Sequence, residues 1–463
     1  MDQRFSFSAQ WNIVAVVVSA VGVCSCVRYE AKPIAPTVPL ATIESRSTDD
    51  SRLREFLMQH GVPGTNPLHW DARALTLAAF YYHPALDEAR AAAAVARGGI
   101  TTAGARPNPQ IQPSIGYDFN EPPPWMYGFG LTFPIETAGK RGIRIEEATR
   151  RAQTAQLQIL ATAWQVRDGV RRTLIDVIVA RRQQDLLNRQ LGIQDAIVQL
   201  FDRQLAVGAI SPFEATQARL SAATTRLAVE QAAIQRGHAE VALADALGLS
   251  REAFAPIAAL VTLDDDTNVQ LPQPQARRTA LISRADVRAA LSDYEAAQST
   301  LRLEIARQYP DFDLGPAFLG NQPQNMLTVA LGLAVPVFNR NQGPIVQASA
   351  AREQAAAHLM VVQANALREL NDAETVLAAA RLKLTVAEMA LTGTREQEHR
   401  RQQMYEAGDI SRVEVLTAQL ETAVAEIAVD EARAQVERAV AALEDAMQSP
   451  LGFEETVLEK PQR

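Results

Sequence analysis

Residues 208–214 read Gly208-Ala209-Ile210-Ser211-Pro212-Phe213-Glu214, and residues 408–414 read Gly408-Asp409-Ile410-Ser411-Arg412-Val413-Glu414. Gly, Ile, Ser and Glu recur at a spacing of 200, and Leu220 matches Leu420. Working outward, Asn108-Pro109 matches Tyr309-Pro310, and Phe133-Pro134 matches Val335-Pro336. Alanine-rich helices can resemble one another by chance, but chance does not repeat turn residues and prolines in the same order. The chain is therefore a tandem duplication of one unit. Each quoted stretch also specifies a turn. Ser-x-x-Glu is a capping box, in which the serine satisfies an orphan amide of the following helix and the glutamate reaches back. Gly208 and Gly408 suit the left-handed end of the preceding helix. Both units therefore end in a helical hairpin with a tight tip.

Upstream of each tip lies a long stretch without an internal break. Residues 137–207 contain no proline, and residues 345–407 are similar. At 1.5 Å per residue, a helix of about 70 residues spans roughly 100 Å and needs lateral partners. After each tip a heptad appears. Phe213, Leu220, Leu227, Ile234 and Val241 recur every seven residues, and Val413, Leu420, Ile427, Ala434 and Ala441 repeat that register. This period predicts coiled-coil-like packing. Ala215, Ala218, Ala222, Ala232 and Ala239 suit close helix approach.

Before each long helix, two segments alternate with period two. Ile111, Ile115, Tyr117 and Phe119 alternate with polar or small residues, as do Tyr127, Phe129, Leu131 and Phe133. In the second unit, Phe312, Leu314 and Phe318 and then Leu327, Val329, Leu331, Leu333 and Val335 do the same. Segments of about ten residues with one apolar face fit a membrane β-barrel. A half-buried soluble sheet has the same pattern, and only the very long helices tip the balance to the barrel. The connector Asn120-Glu121-Pro122-Pro123-Pro124 reads as an exposed loop. Each unit is thus helix, two strands, very long helix, turn and helix, with the first helices opening near Pro84 and Ala285.

Composition narrows the function. The 463 residues are 47% hydrophobic and 21% charged, which excludes wholesale disorder. A net charge of −8 argues against a nucleic-acid partner. The two cysteines, Cys24 and Cys26, build neither a disulfide scaffold nor a cysteine zinc site. Residues 13–23 form an apolar run of secretory-signal length, and Val23-Cys24-Ser25-Cys26 follows it. Small residues before a cysteine resemble a bacterial lipobox with Cys26 as the lipidated residue; a plain secretory signal is the alternative. Val27 behind it points to the outer membrane. Residues 27–50 are polar and proline-rich, which predicts an extended tail.

No chemistry-bearing constellation emerges. A phosphate loop needs glycine six positions before Lys140 and Ser or Thr after it, but Pro134 and Arg141 stand there. Glu396-x-x-His399 has di-iron spacing but no second copy, so a solvated helix face explains it. The remaining histidines are scattered. No catalytic residues, metal site or cofactor are expected.

The duplicated unit with its Gly-x-Ile-Ser turns resembles the TolC-type outer membrane factors over residues 80–450. Arg284-Ala285-Asp286-Val287 is similar to the family's Arg-Pro-Asp-Val opening of the second repeat, with Ala285 replacing proline. Two segments after the hairpins, Pro134-Ile135-Glu136-Thr137-Ala138-Gly139-Lys140-Arg141 and Pro336-Val337-Phe338-Asn339-Arg340-Asn341-Gln342-Gly343, look like members serving cobalt–zinc–cadmium or copper–silver efflux. The resemblance implies a mainly α protein with a small β part. It would be a homotrimer whose four strands per chain close a twelve-stranded barrel in outer membrane lipid above a periplasmic α-helical tunnel. Independently, four strands leave open edges that lipid does not tolerate. It implies a passive duct, not an enzyme, working with a periplasmic adaptor (membrane fusion) protein and an inner-membrane proton-driven RND-type pump. Heavy-metal cations are the expected cargo. Drugs or other small molecules, or a non-channel helical scaffold lipoprotein, are the alternatives.

By the same resemblance the periplasmic gate lies at the tips, with Tyr405, Asp409, Arg412 and Glu414 as candidates. Capping alone is the other reading of Glu414. Asp202 and Arg203 precede the first tip and are placed to pair across it. The turns, with Gly208, Ile210, Ser211, Gly408, Ile410 and Ser411, would meet the adaptor. The expected organisation is a signal peptide (1–25), an N-terminal tail and equatorial segment (26–82), a first repeat (83–250), a linker (251–282), a second repeat (283–448) and a C-terminal tail (449–463).

Overall fold

The computed structural model describes residues 28–64, 68–117, 119, 125–262, 273–321 and 324–448. Cys24 and Cys26, and with them the signal and lipidation readings, lie outside the described residues, as do the connector 120–124 and the tail 449–463. The chain divides into two compact units at Ser45/Arg46. The described part of the first carries α1 (Thr37–Glu44), a helix where extended chain is expected. Its prolines explain why that is tolerated: Pro36 is the N-cap and Pro39 falls in the first turn, where no intrahelical amide is lost.

The second unit opens with α2 (Ser51–Gln59) and α3 (Ala72–Tyr82). Asp71 caps α3, its Oδ1 accepting from Ala74 N at 2.7 Å. The residues of α3 from Ala74 to Tyr82 are all buried. Phe80, Leu75 and Leu77 of this helix pack with Ile159 and Leu174 on α5 (Lys140–Ala206) and Leu243 on α6 (Pro212–Leu247). Each large side chain so buried contributes about 1.5–3 kcal/mol.

The first repeat continues from α3 through α4 (Pro84–Gly104), β1 (Gln110–Tyr117) and β2 (Trp125–Ile135) into α5 and α6. The short α7 (Arg251–Phe254) and then α8 (Pro274–Ser283) follow. The second repeat is α9 (Ala285–Ala306), β3 (Phe312–Asn321), β4 (Gln324–Leu333), α10 (Gln342–Ala407) and α11 (Arg412–Met447). The long stretches are single helices of 67 and 66 residues. Each starts from a left-handed residue, Gly139 at φ 69° and Asn341 at φ 62°, conformations that glycine and asparagine adopt most readily. The strands form one antiparallel sheet in the order β1-β2-β3-β4. At its end of the molecule α5 runs between α4 and α9; farther along it runs between α6 and α11, with α10 beside α9 and α11.

One expectation is corrected here. Among the described residues the heptad stripe of α6 is left largely uncovered: Phe213 is 70% exposed and Leu227 72%. What α6 turns towards its neighbours is alanine, with Ala215, Ala222 and Ala232 buried. In the second repeat, by contrast, Ala434 and Ala441 of the same stripe are buried. The physical reason is position. Helix α11 has α5 of the other repeat beside it, joined by Arg167–Glu444 at 3.0 Å, Arg182–Glu437 at 2.9 Å and Arg438–Asp176 at 2.9 Å. Among the described residues, helix α6 has no such helix on that side.

Candidate functional site

The sheet separates its residues by chemistry. Cross-strand partners place Ile111 opposite Leu131, Phe129 opposite Phe318, Phe133 opposite Leu314, Leu314 opposite Leu331 and Phe318 opposite Leu327. Since opposed residues share a face, one face is aliphatic and aromatic across all four strands. The other carries Gln112 opposite Gly130, Ser114 opposite Gly128, Gly130 opposite Ala317, Gly315 opposite Ala330 and Ala317 opposite Thr328. None of the described residues covers the apolar face: Ile115 is 80% exposed, Leu327 76% and Val329 70%. An apolar face this wide and bare marks contact with lipid or a partner. The small and polar face can line an aqueous passage.

A clamp ties the sheet to the helices. Lys140, nearly buried, donates from Nζ to Tyr309 O at 2.6 Å and to Asp311 Oδ1 at 2.7 Å. Thr137 N donates to the same Asp311 oxygen at 2.7 Å. Arg144 pairs with Glu136 beside it. The first repeat thus grips the start of the second hairpin. Sequence reading rejected a phosphate loop at Lys140 but found no partner for it. The available signal was the repeat itself, because the second-repeat residue at this place is Gln342 and carries no charge.

At the tips, both capping boxes form. Ser411 N donates to Glu414 Oε2 at 2.8 Å, Ser411 Oγ donates to it at 3.0 Å, and Glu414 N donates to Ser411 Oγ at 3.4 Å. Ser211 and Glu214 repeat the arrangement. Hydrogen bonds from the serines to the charged form hold both glutamates below the ordinary carboxylate range. Gly208 and Gly408 take φ of 72° and 85°, and Ile210 and Ile410 lie between each glycine and its serine. Arg412 stacks over the Tyr405 ring at 5.5 Å from its centroid. Arg401 Nη1 donates to Glu414 O at 3.4 Å. Asp409 N donates to Met404 O at 2.9 Å, closing the turn. Asp202 pairs across the first tip with Arg219 of α6 at 2.6 Å, whereas Arg203 stays on its own helix, its Nε donating to Gln199 O at 3.2 Å. The helical period explains the difference, because Arg203 points about 100° away from Asp202 around α5, and only Asp202 faces the returning helix.

Higher on the helices, a cleft of about 480 Å³ lies between α5, α10 and α11, lined among others by Arg182, Arg189, Arg395, Arg433, Asp185 and Asp430. Burial pushes the Asp430 carboxyl up, against the pull of Arg182. Among the described residues, no three His, Cys, Asp or Glu side chains are grouped to hold a metal ion. Nor, among the described residues, is any helix long and apolar enough to cross a membrane.

Comparison with known proteins decides what this architecture is. The family model of outer membrane efflux proteins matches residues 79–249 and 276–448, both repeats. The chain belongs to the outer membrane efflux protein family. Like other members, it is the outer membrane channel component of an efflux system, and its family is one of ducts. It is 26% identical over 328 residues to the cobalt-zinc-cadmium resistance protein CzcC of Cupriavidus metallidurans, covering 70% of this chain and 76% of that one. Among solved structures, its fold matches the outer membrane protein VceC from Vibrio cholerae with a TM-score of 0.66 at 19% identity, covering 81% of this chain and 95% of that one. It matches the outer-membrane channel OprN with a TM-score of 0.68 at 16% identity, covering 92% and 98%. CusC matches with a TM-score of 0.66 at 18% identity, covering 81% and 91%. The fold of this outer membrane efflux protein is therefore the TolC-type fold, with helices for a tunnel and strands for a barrel wall.

Proposed function

We propose that this outer membrane efflux protein assembles as a homotrimer and acts as a passive exit duct for heavy-metal cations. The observation that carries the reading is the bare sheet: among the described residues, four strands with one face apolar but for Asn325 at its end, and two open edges. Unpaired edge amides cost several kcal/mol each in hydrocarbon, and four strands are fewer than the eight of the smallest barrels. Three copies supply twelve. The cargo reading is supported by the resemblance of residues 134–141 and 336–343 and by the likeness to a cobalt-zinc-cadmium resistance protein. Energy comes from partners. The turns at Gly208, Ile210 and Ser211 and at Gly408, Ile410 and Ser411 receive a periplasmic adaptor, and an inner-membrane proton-driven RND-type pump delivers the cargo.

A strain lacking this protein should be sensitive to zinc, cobalt or cadmium and regain tolerance when it is restored, as growth across those metals, copper, silver and a panel of drugs and dyes will measure. Sensitivity confined to organic compounds would replace the metal reading with a drug duct. Unchanged growth on every compound would remove the efflux role under those conditions.

The gate reading rests on the Tyr405–Arg412 stack beside Asp409, at the tip where three copies would converge into rings. Glu414 is occupied by its cap, so it contributes through Ser411 and the direction of α11. Tyr405→Phe together with Arg412→Ala should raise the single-channel conductance of the reconstituted oligomer. Unchanged conductance in an intact oligomer removes this pair from the gate.

A further inference from the structure

Cations bracket each hairpin and are absent within it. Residues 107–139 and 308–339 contain neither Lys nor Arg. The first hairpin lies between Arg106 and Lys140, and the second between Arg307 and Arg340. All four fall in the elbows where strands and helices meet. Arg106 is two residues beyond α4, Lys140 opens α5, Arg307 caps α9, and Arg340 is two residues before α10. They differ in what holds them. Lys140 is bound to Asp311, and Arg307 to Glu304 at 2.6 Å. Both belong to the elbows of β2 and β3, the strands paired in the middle of the sheet. Arg106 and Arg340 flank the outer strands β1 and β4. Both are exposed, and among the described residues their guanidinium groups have no partner.

We propose that these outer elbows dock on the phospholipid headgroups of the periplasmic leaflet, with Arg106 and Arg340 holding the phosphates of anionic lipids and Phe338 set among the headgroups. This rests on the sheet standing in lipid, as read above. It adds which lipid the barrel selects and which side chains select it.

Continuity and charge both favour this occupant. Val335 and Val337 carry the alternation of β4 past its last residue and are 68% and 65% exposed, and Phe338 behind them is 98% exposed. An apolar face in hydrocarbon ends at the headgroups, and aromatic side chains belong at that boundary. An arginine there lays its apolar stem along the same surface and presents its charge to the phosphate layer. Its planar fork takes two phosphate oxygens at once. No carboxylate of the chain competes for the two arginines. Glu136 holds Arg144, Asp311 holds Lys140 and Glu304 holds Arg307, and Asp313 lies on the small and polar face of the sheet, opposite Gly332. The cations of the inner elbows are thus neutralised within the chain, and those of the outer elbows are left for an anion outside it.

Native mass spectrometry of the full chain in detergent, offered equal amounts of phosphatidylglycerol and phosphatidylethanolamine, tests the proposal. The wild type should retain phosphatidylglycerol over phosphatidylethanolamine by about fivefold for each arginine engaged. The preference should shrink as salt is raised. Arg106→Gln together with Arg340→Gln should bind the two lipids alike and melt with the wild type by circular dichroism. Arg106→Lys with Arg340→Lys should keep part of the preference, because the charge stays and the fork is lost. Arg97, exposed on α4 about two turns farther from the sheet, is the control, and Arg97→Gln should leave the preference unchanged. Equal retention by the wild type overturns the proposal, as does a preference that survives the double glutamine variant or is lost as fully in Arg97→Gln. Displacement of phosphatidylglycerol by an equal concentration of inorganic phosphate overturns it in favour of a free ion. Retention of neither lipid removes the lipid-facing reading of the sheet as well. The same spectra give the mass of the assembly, so the oligomer reading is judged separately.

Discussion

Replacing Phe129 by arginine should abolish the assembled channel in the outer membrane. Phe129 sits mid-strand in β2, opposite Pro113 on one side and Phe318 on the other, its ring 6.0 Å from that of Phe318. The residue is 53% exposed, on the apolar face. If that face meets lipid, an arginine near the midplane costs about 2–4 kcal/mol per chain, or roughly 6–12 kcal/mol over three copies. Gln112 is the control. It lies opposite Gly130, one residue from Phe129 in depth, on the opposite face. Gln112→Arg puts the same charge towards the lumen and should assemble normally. The readout is the heat-resistant oligomer in isolated outer membranes. Equal assembly of both variants, or equal loss, would refute the assignment of the faces.

The second large effect belongs to Arg284. Its side chain is 5% exposed and joins three helices. Nη1 donates to Ala446 O at 2.8 Å near the end of α11, and Nη2 to Glu369 Oε2 of α10 at 2.9 Å. Nε and Nη2 reach the two oxygens of Asp286 at 3.0 and 2.7 Å, at the start of α9. Arg284→Met keeps the bulk and removes every donor. Breaking a buried ion pair costs about 3–5 kcal/mol. Asp286 and Glu369 are 34% and 42% exposed, so water recovers part of that, leaving roughly 2–4 kcal/mol. The melting temperature of the helices, read by circular dichroism, should fall by several degrees. Arg284→Lys should recover part of the loss, because an ammonium cannot span a bidentate carboxylate and a distant carbonyl together. A methionine variant that melts with the wild type would refute the role.

Arg284 also shows what a motif can and cannot convey. Arg284-Ala285-Asp286-Val287 was readable as the opening of the second repeat. The departure at Ala285 was readable too, but its use was not: Ala285 N donates to Gln448 Oε1 at 3.1 Å, a bond proline cannot make. That partner lies 163 residues away, and no local pattern announces it. That Arg219 is the partner of Asp202 across the first tip was likewise set by how the two helices face each other.

What the sequence by itself determined was everything with a short period or a local partner. The strands followed from alternation, the two long helices from the missing prolines, the tips from glycine and the capping serines, and the doubling from recurrence at 200 residues. All but the doubling depend on residues a few positions apart, so the chain carries them wherever it is placed. Only the tertiary structure decided which copy of a repeated feature finds a neighbour. Lys140 holds Asp311, while Gln342 turns back on its own turn, its Oε1 accepting from Arg340 N at 3.0 Å. Ala434 and Ala441 of the α11 heptad lie under cover, while Ile234 and Val241 at the same places in α6 are exposed. The two repeats have nearly the same local code, but one lies beside the other inside the chain, and each outer edge does not. Burial and ion pairing depend on that adjacency, and periodicity alone is blind to it.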